Sequence, residues 1–288
     1  MPTSALQLLA PAKLNLFLHI TGRRADGYHE LQTVFQLLDY GDDLHVSLTG
    51  NASLELHIDT RTLGQPVPLE TNLVHRAFDR LRAHADRSLP GVRIELTKRL
   101  PAGAGLGGGS ADAAMTLLAL DRLWNLDLGV ETLSRIGAEL GADVPLFIRG
   151  RSAWAEGIGE RLTPLELPPR WYLVITPFCA VATAEIFCHE DLTRTTPAIK
   201  MADFLAGRVG NDCETVTCRL YPEVKKSLEW LGQFAESRMT GTGSSVFAAF
   251  EDAASAQRVM KDLPAGWRGF VARGIDSLPV IGQTTQDS

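Results

Sequence analysis

The stretch Pro101-Ala102-Gly103-Ala104-Gly105-Leu106-Gly107-Gly108-Gly109-Ser110-Ala111 decides how the rest of the chain is read. Ahead of it, Val92-Arg93-Ile94-Glu95-Leu96 alternates apolar and charged residues as a half-buried strand does, and Lys98 and Arg99 bring positive charge up to the turn. Behind it, Ser110 to Trp124 is rich in Ala and Leu, has no internal Gly or Pro, and is of helical length. Strand, glycine turn and helix in that order set the free N–H groups of a first helical turn beside a backbone that a ligand can approach closely. Such a nest of amides prefers an anion, and the helix dipole adds to the preference. Gly103, Gly105, Gly107, Gly108 and Gly109 would cost much chain entropy in a plain connector. The stretch predicts a phosphate site.

Three familiar phosphate sites do not fit. A P-loop requires Lys followed by Ser or Thr after its last Gly, and no lysine stands there. Gly103, Gly105 and Gly108 satisfy G-x-G-x-x-G, but a dinucleotide fold wants a second strand ending in an acid further on, and Asp121 and Asp127 flank a helix end instead. A protein-kinase site is excluded because no H-R-D or D-F-G triplet occurs in the chain.

The 288 residues suffice for one large or two ordinary domains, and 45% hydrophobic residues support a sizeable core. No apolar run is long enough to span a bilayer and the N-terminus lacks the marks of a signal peptide, so the reading is a soluble, cytoplasmic protein without a membrane partner. A net charge of −6 leaves no global basic field for nucleic acid, so an anionic ligand must be held locally. Cys179, Cys188, Cys213 and Cys218 show neither C-x-x-C nor H-E-x-x-H company, which indicates reduced thiols rather than a zinc site or disulfides.

Outward from the loop, Leu6–Ala10 and Leu14–Ile20 read as strands separated by Pro11-Ala12-Lys13. Phe17 shares a face with Asn15 and His19, so both faces of the second run are expected to be covered. Arg23 to Gly27 is a turn, after which Tyr28-His29 presents an aromatic face beside a ring that both donates and accepts. Leu44–Leu48 and Leu54–Ile58, joined by Thr49 to Ser53, predict a hairpin. Gly64 to Pro68 is a loop, and Asn72 caps a helix running through Leu73, Ala77 and Leu81. A further helix, Val130–Leu140, closes at Gly141.

Asp143 follows, with Ala142, Val144, Pro145, Leu146 and Phe147 around it. It reads either as a turn carboxylate bonding nearby amides or as a general base beside the phosphate site. The proline-rich run from Arg161 to Arg170 is the candidate boundary between domains at 1–160 and 161–288. Beyond it come a strand at Trp171–Ile175, a helix opening at Thr183–Phe187, a helix at Pro222–Phe234, and strand, turn and strand over Ser237 to Phe250. A helix at Asp252–Lys261 and a last strand at Trp267–Arg273 follow, an order that predicts an antiparallel sheet with helices on one face. The residues after Ile281 are expected to be disordered.

The glycine stretch resembles the nucleotide loop P-x-G-x-G-L-G-S-S-A-A of the galactokinase, homoserine kinase, mevalonate kinase and phosphomevalonate kinase superfamily. Pro101, Gly103, Gly105, Leu106, Gly107 and Ala111 stand at the matching places, while Gly108 and Gly109 replace the two serines and Ser110 an alanine, which leaves the metal ligands open. Pro11-Ala12-Lys13-Leu14-Asn15-Leu16 is similar to the start of that superfamily, Gly141 to Pro145 to its G-A-D-V-P pattern, and Gly241 to Ser245 either to its third motif or to a plain glycine hairpin. Arg24 to Phe35 resembles the R-x-D-G-Y-H-x-L-x-(S/T)-(V/L)-F segment of the branch whose acceptor is a cytidyl diphosphate alcohol.

The resemblance implies a two-domain α+β small-molecule kinase that moves the γ-phosphoryl group of ATP, with Mg²⁺, onto such an alcohol in the non-mevalonate route to isoprenoid precursors. It implies that Pro101 to Ala111 hold the nucleotide, with Lys98 and Asn72 on the adenosine side. Asp143 would be the base, and Lys13 would lower its pKa and hold the acceptor hydroxyl or the moving charge. Tyr28 and Phe187 would flank the cytosine, His29 would read its edge and Asn15 would lie near the sugar alcohol. Two alternatives stay open: another kinase of the superfamily acting on homoserine, mevalonate or a sugar, and a catalytically silent nucleotide-binding module.

Overall fold

In the computed structural model, residues 4–60 and 72–279 are described; the expected Gly64 to Pro68 loop and the tail after Ile281 lie outside them. The chain opens with two long strands, β1 (Ala5–Arg23) and β2 (His29–Leu48), paired antiparallel along their whole length. The turn between them is closed by Arg24 N–H to Tyr28 O at 2.7 Å and Gly27 N–H to Arg24 O at 3.0 Å, with Gly27 at φ +90°.

Pro11-Ala12-Lys13 does not break β1 into the two strands expected. The register shifts there instead, a bulge that accommodates a residue without an N–H. Every residue from Ala10 to Ile20 is buried except Leu16, which is half-buried, as the imperfect alternation of that run foretold.

The N-terminal sheet continues through β3 (Leu54–Asp59), β4 (Val92–Thr97), β5 (Ala153–Gly157) and β6 (Arg161–Pro164). The expected hairpin of β2 with β3 does not form. β4 inserts between them, antiparallel to β2 and parallel to β3. The connection from Thr49 to Ser53 bonds to the start of β4 instead, with Thr49 N–H donating to Gly91 O at 2.9 Å and Val92 N–H to Ser53 O at 3.0 Å. A β-carbon on Gly91 would meet Ser53 O at 2.3 Å, so this close backbone approach requires glycine. The strand order results from a parallel return through α1 (Leu73–His84), which local alternation does not encode. β5 pairs with β2, and β6, the head of the proline-rich stretch, pairs with β5, which ties residues 161–164 to this sheet.

The core under the sheet is built around α2 (Gly108–Trp124), buried on nearly every side between the strands and the helices α1, α3 (Gly129–Ala138) and α4 (Val144–Arg149). That position explains its Ala-rich and apolar composition all round the helix. The short α4 was not foreseen; Pro145 stands in its first turn, where a missing N–H costs nothing.

The C-terminal sheet runs β10 (Arg268–Ile275), β7 (Trp171–Thr176), β9 (Val246–Phe250), β8 (Ser237–Met239), all antiparallel. One face, carrying Leu173, Ile175, Val246 and Ala248, packs on α5 (Thr183–Cys188), α7 (Glu214–Leu220), α8 (Pro222–Leu231) and α9 (Ala253–Lys261). A short α6 (Met201–Leu205) precedes α7. The other face, with Tyr172, Val174 and Phe247, packs on Leu14, Leu100, Ala104 and Leu106, so the glycine loop shares a core with this sheet. β10 joins the sheets by pairing Gly274 and Ile275 with Leu38 and Leu37 of β2. The architecture is the two-domain α+β arrangement expected.

The β1–β2 crossing is tightest at Gly41, where a β-carbon would lie 1.9 Å from Ala10 O and 2.6 Å from Pro11 Cα. Gly41→Ala should lower stability by about 2–3 kcal/mol, because backbone cannot yield as a side chain does. Gly50→Ala, with nothing within 4 Å, should stay within about 0.5 kcal/mol. Urea unfolding midpoints compare the two; equal midpoints would mean that the crossing tolerates a β-carbon.

Candidate active site

The glycine loop closes on the N-terminus of α2. The cap, Gly107, sits at φ +74°, and Ala111 N–H to Gly107 O at 2.9 Å begins the helical ladder, which leaves the amides of Gly108, Gly109 and Ser110 at the open end. Gly105 also lies at positive φ, and a β-carbon there would meet Thr240 O at 2.3 Å. Ser245 N–H donates to Ala104 O at 3.1 Å and Thr240 Oγ1–H to Gly105 O at 3.3 Å. The turn at Gly241 to Ser245 is therefore docked on the glycine loop.

One cleft of about 540 Å³ gathers most of the expected site: the loop from Pro101 to Ser110, Lys13, Asn15, Asn72, Lys98, Asp143 and Phe187 all line it. The β1 bulge turns Lys13 inward, where its Nζ donates to Asn15 Oδ1 at 2.6 Å and Gly105 O at 3.0 Å. Nζ is also 3.6 Å from Asp143 Oδ2. Asp143 sits at the N-cap of α4 and makes no side-chain capping bond, so it does not act as a turn carboxylate holding nearby amides. Its side chain is 31% exposed against 5% for Lys13: the carboxylate is open to the cleft while its cation is enclosed. Asn15 is fixed by Nδ2–H to Thr33 Oγ1 at 3.0 Å and by its own N–H to Thr240 Oγ1 at 2.9 Å.

Lys98 and Asn72 line the same cleft. Asn72 is the N-cap of α1, accepting from Val74 N–H at 2.8 Å. Lys98 is held by Asp42 and, at 2.6 Å, by Asp112 Oδ2. Burial works to lower the Lys98 pKa, but Asp112 and Asp42 outweigh it and hold it above the ordinary value. Burial first, with the Asp42 charge, pushes the Asp112 carboxyl up from its ordinary value against the pull of Lys98. Asp42 also accepts from Arg99 and Leu100 N–H at 2.5 and 2.8 Å, which pins the approach to the loop. Sequence reading missed both acids. A lone acid in the apolar α2, just past the glycines, was the available signal for Asp112; Asp42 is one of two adjacent acids and nothing local marks it out.

The remaining expected residues gather at one end of the β1–β2 pair. His29, the first residue of β2, stacks on Phe187 of α5 with ring centroids 5.2 Å apart and planes inclined by 28°. Arg194 Nε–H donates to His29 Nε2 at 3.1 Å. Burial first, then the charges of Arg194 and Arg23, hold the His29 pKa below its ordinary value. Tyr28 is 60% exposed and makes no ring contact among the described residues. The structure thus brings Phe187 against His29 rather than against Tyr28, and neither Tyr28 nor His29 lines the cleft that holds Lys13 and Asp143.

This arrangement can hold a polyphosphate on backbone amides, present a carboxylate to a hydroxyl beside it and keep a buried ammonium between the two. Residues 72–151 match the GHMP kinases N terminal domain and residues 196–269 the GHMP kinases C terminal. The chain is 48% identical to 4-diphosphocytidyl-2-C-methyl-D-erythritol kinase of Hahella chejuensis (strain KCTC 2396), with 99% of each chain covered. It is 50% identical to the protein of the same name from Marinobacter nauticus (strain ATCC 700491 / DSM 11845 / VT8), with 98% of each covered. A crystal structure of 4-(cytidine 5'-diphospho)-2C-methyl-D-erythritol kinase superposes with a TM-score of 0.79 at 36% identity, over 93% of this chain and 98% of that one. With its fold, its loop and its full-length relatives in agreement, the chain belongs to the GHMP kinases, in the 4-diphosphocytidyl-2-C-methyl-D-erythritol kinase family.

Proposed function

We propose that this ATP-dependent kinase phosphorylates the 2-hydroxyl of 4-diphosphocytidyl-2-C-methyl-D-erythritol, in the non-mevalonate route to isoprenoid precursors. The observation that carries the reading is Lys13 Nζ standing 3.6 Å from the cleft-facing carboxylate of Asp143 while bonded to the glycine loop at Gly105 O. A hydroxyl at that carboxylate is next to the loop that receives the phosphates. Phosphoryl transfer asks for little more than such positioning and charge neutralisation.

In this reading an Asp143 oxygen takes the proton of the acceptor hydroxyl. The freed oxygen bonds to the γ-phosphorus as the bridging P–O bond to the β-phosphate breaks, and ADP leaves. Lys13 offsets charge on the moving phosphoryl group. Its bonds to Asn15 Oδ1 and Gly105 O hold it in place, so little reorganisation accompanies the reaction. The amides of Gly108, Gly109 and Ser110 hold the phosphates, and Lys98 and Asn72 border the adenosine. Phe187 and Tyr28 supply apolar faces for the cytosine and His29 a polar edge.

Mg²⁺ would further neutralise the phosphates. Gly108 and Gly109 carry no hydroxyl, and the described residues hold no cluster of three or more metal-ligating side chains, so phosphate oxygens would supply much of its shell. Among the cleft residues, the Ser110 hydroxyl and the Asp143 carboxylate are protein oxygens that suit it. The proposal retains a cytoplasmic location, where ATP is found; no described helix is long and apolar enough to cross a membrane.

Asp143→Asn should cut turnover by about two orders of magnitude or more while ATP affinity by calorimetry stays nearly constant, since only the base is lost. Comparable turnover would remove Asp143 from the mechanism.

The phosphate cradle is best probed at Gly109. At Gly107 a β-carbon would press on Lys13 Cγ at 3.0 Å and Phe147 Cζ at 2.9 Å in a left-handed backbone, which confounds blocking with strain. Gly109 has ordinary φ and its β-carbon would meet only Leu73, at 3.6 Å. Gly109→Val should weaken ATP by about tenfold to a hundredfold, the worth of one charge-assisted hydrogen bond, and leave the cytidyl substrate's affinity nearly unchanged. Unaltered ATP affinity in the folded variant would place the phosphates elsewhere.

Tyr28→Ala should raise the substrate KM by about tenfold to a hundredfold, as the loss of one base-stacking face does. kcat should change far less, because the stack is present in ground and transition states alike. The substrate assignment itself is tested by ATP consumption against a panel of alcohols: the cytidyl compound should lead, and equal rates with homoserine, mevalonate or methylerythritol phosphate would overturn it.

A further inference from the structure

Arg194 serves no step of the reaction described above, yet its guanidinium is spent entirely on the segment from Phe187 to Leu192 and on His29. Nη2 donates to Phe187 O at 3.0 Å and His189 O at 2.6 Å, Nη1 to Leu192 O at 3.1 Å, and Nε to His29 Nε2 at 3.1 Å. Among the described residues no carboxylate pairs with it, so its charge is met by carbonyl dipoles and one imidazole nitrogen. The two rings that stack on each other, His29 and Phe187, are thus tied to one planar donor.

A guanidinium never gives up its protons, and Nε carries a single N–H. The nitrogen that faces it must offer a lone pair. His29 Nε2 is therefore unprotonated, and a neutral ring in that position carries its proton on Nδ1. An imidazole without such a partner can place the proton on either nitrogen. No hydrogen bond reaches His29 Nδ1 from the described residues.

We propose that Arg194 is a positioning residue that locks His29 in the Nδ1–H tautomer, so that the ring presents a donor to the pyrimidine and selects cytosine over uracil. The inference rests on the reading that His29 faces the base. Cytosine has an unprotonated ring nitrogen, N3, on its pairing edge where uracil has an N–H. A fixed donor pairs with the first and meets another donor in the second. A site built on polar pairing rejects the mismatched partner far more strongly than an apolar pocket rejects a change of size. Without Arg194, His29 could turn its lone pair toward uracil N–H and the distinction would fade.

The test compares the wild-type enzyme, Arg194→Met and His29→Ala. The ratio of kcat/KM for the cytidyl substrate to that for its uridyl analogue is measured in each, and long-range ¹H–¹⁵N NMR reads which His29 nitrogen carries the proton in the wild type and in Arg194→Met. Should Arg194→Met fail to fold, Arg194→Gln, which also lacks an obligate donor, takes its place. The wild type should hold the proton on Nδ1, and loss of Arg194 should admit the Nε2–H form. The ratio should fall about tenfold or more in both variants, with kcat on the cytidyl substrate little changed in the Arg194 variant. A merely structural role would raise KM for both substrates alike and leave the ratio intact. A proton on Nε2 in the wild type overturns the inference, as does an unchanged ratio without Arg194 while His29→Ala lowers it; in both cases base reading by His29 can stand. An unchanged ratio in His29→Ala removes base reading itself, and the role of Arg194 with it.

Discussion

Thr240 O would lie 2.3 Å from a β-carbon on residue 105, so only glycine lets the turn at Gly241 to Ser245 approach the glycine loop. Around that approach Thr240 Oγ1–H donates to Gly105 O, Ser245 N–H to Ala104 O and Asn15 N–H to Thr240 Oγ1. Three segments distant in sequence become one backbone-bonded unit: the β1 bulge, the glycine loop and the C-terminal turn. The position of Lys13 follows from it, since Lys13 N–H donates to Leu106 O and Nζ to Gly105 O. The shared apolar cluster of Leu14, Leu106, Val174 and Phe247 holds the unit rigid, because a close-packed interior cannot deform gradually.

The site's electrostatics are local. The chain carries net negative charge, but two buried lysines border the cleft. They are not equivalent. Lys98 is matched by two carboxylates, so its surroundings add no net positive charge for a phosphate. Removing one partner of such a buried set leaves the others uncompensated, which is costly; this group therefore fixes the geometry at the base of the loop. Lys13 has one carboxylate at 3.6 Å and otherwise neutral acceptors, so its charge is less fully matched than that of Lys98. The segment that holds Phe187 works by a related economy, with one guanidinium satisfied by carbonyls and a neutral ring.

The strand-loop-helix around Gly103 to Gly109, the Asn72 cap, the coverage of both faces of β1 and the helices on one face of the C-terminal sheet were legible in the sequence. Each depends on periodicity or on one residue's local chemistry. The insertion of β4 between β2 and β3 was not legible, since alternation shows that a strand is half-buried and says nothing of which neighbour pairs with it. Lys13, Asp143 and the glycines were marked by motif resemblance. What they do to one another needed the fold: a bulge to turn Lys13 inward, a helix start that leaves Asp143 uncapped, and a turn 135 residues beyond Gly105 to close the loop. Asp42 and Arg194 were silent in the sequence, and Asp112 stood out only as a lone acid in an apolar helix, because their partners are supplied by tertiary contact and a single acid or arginine carries no local pattern that names its partner.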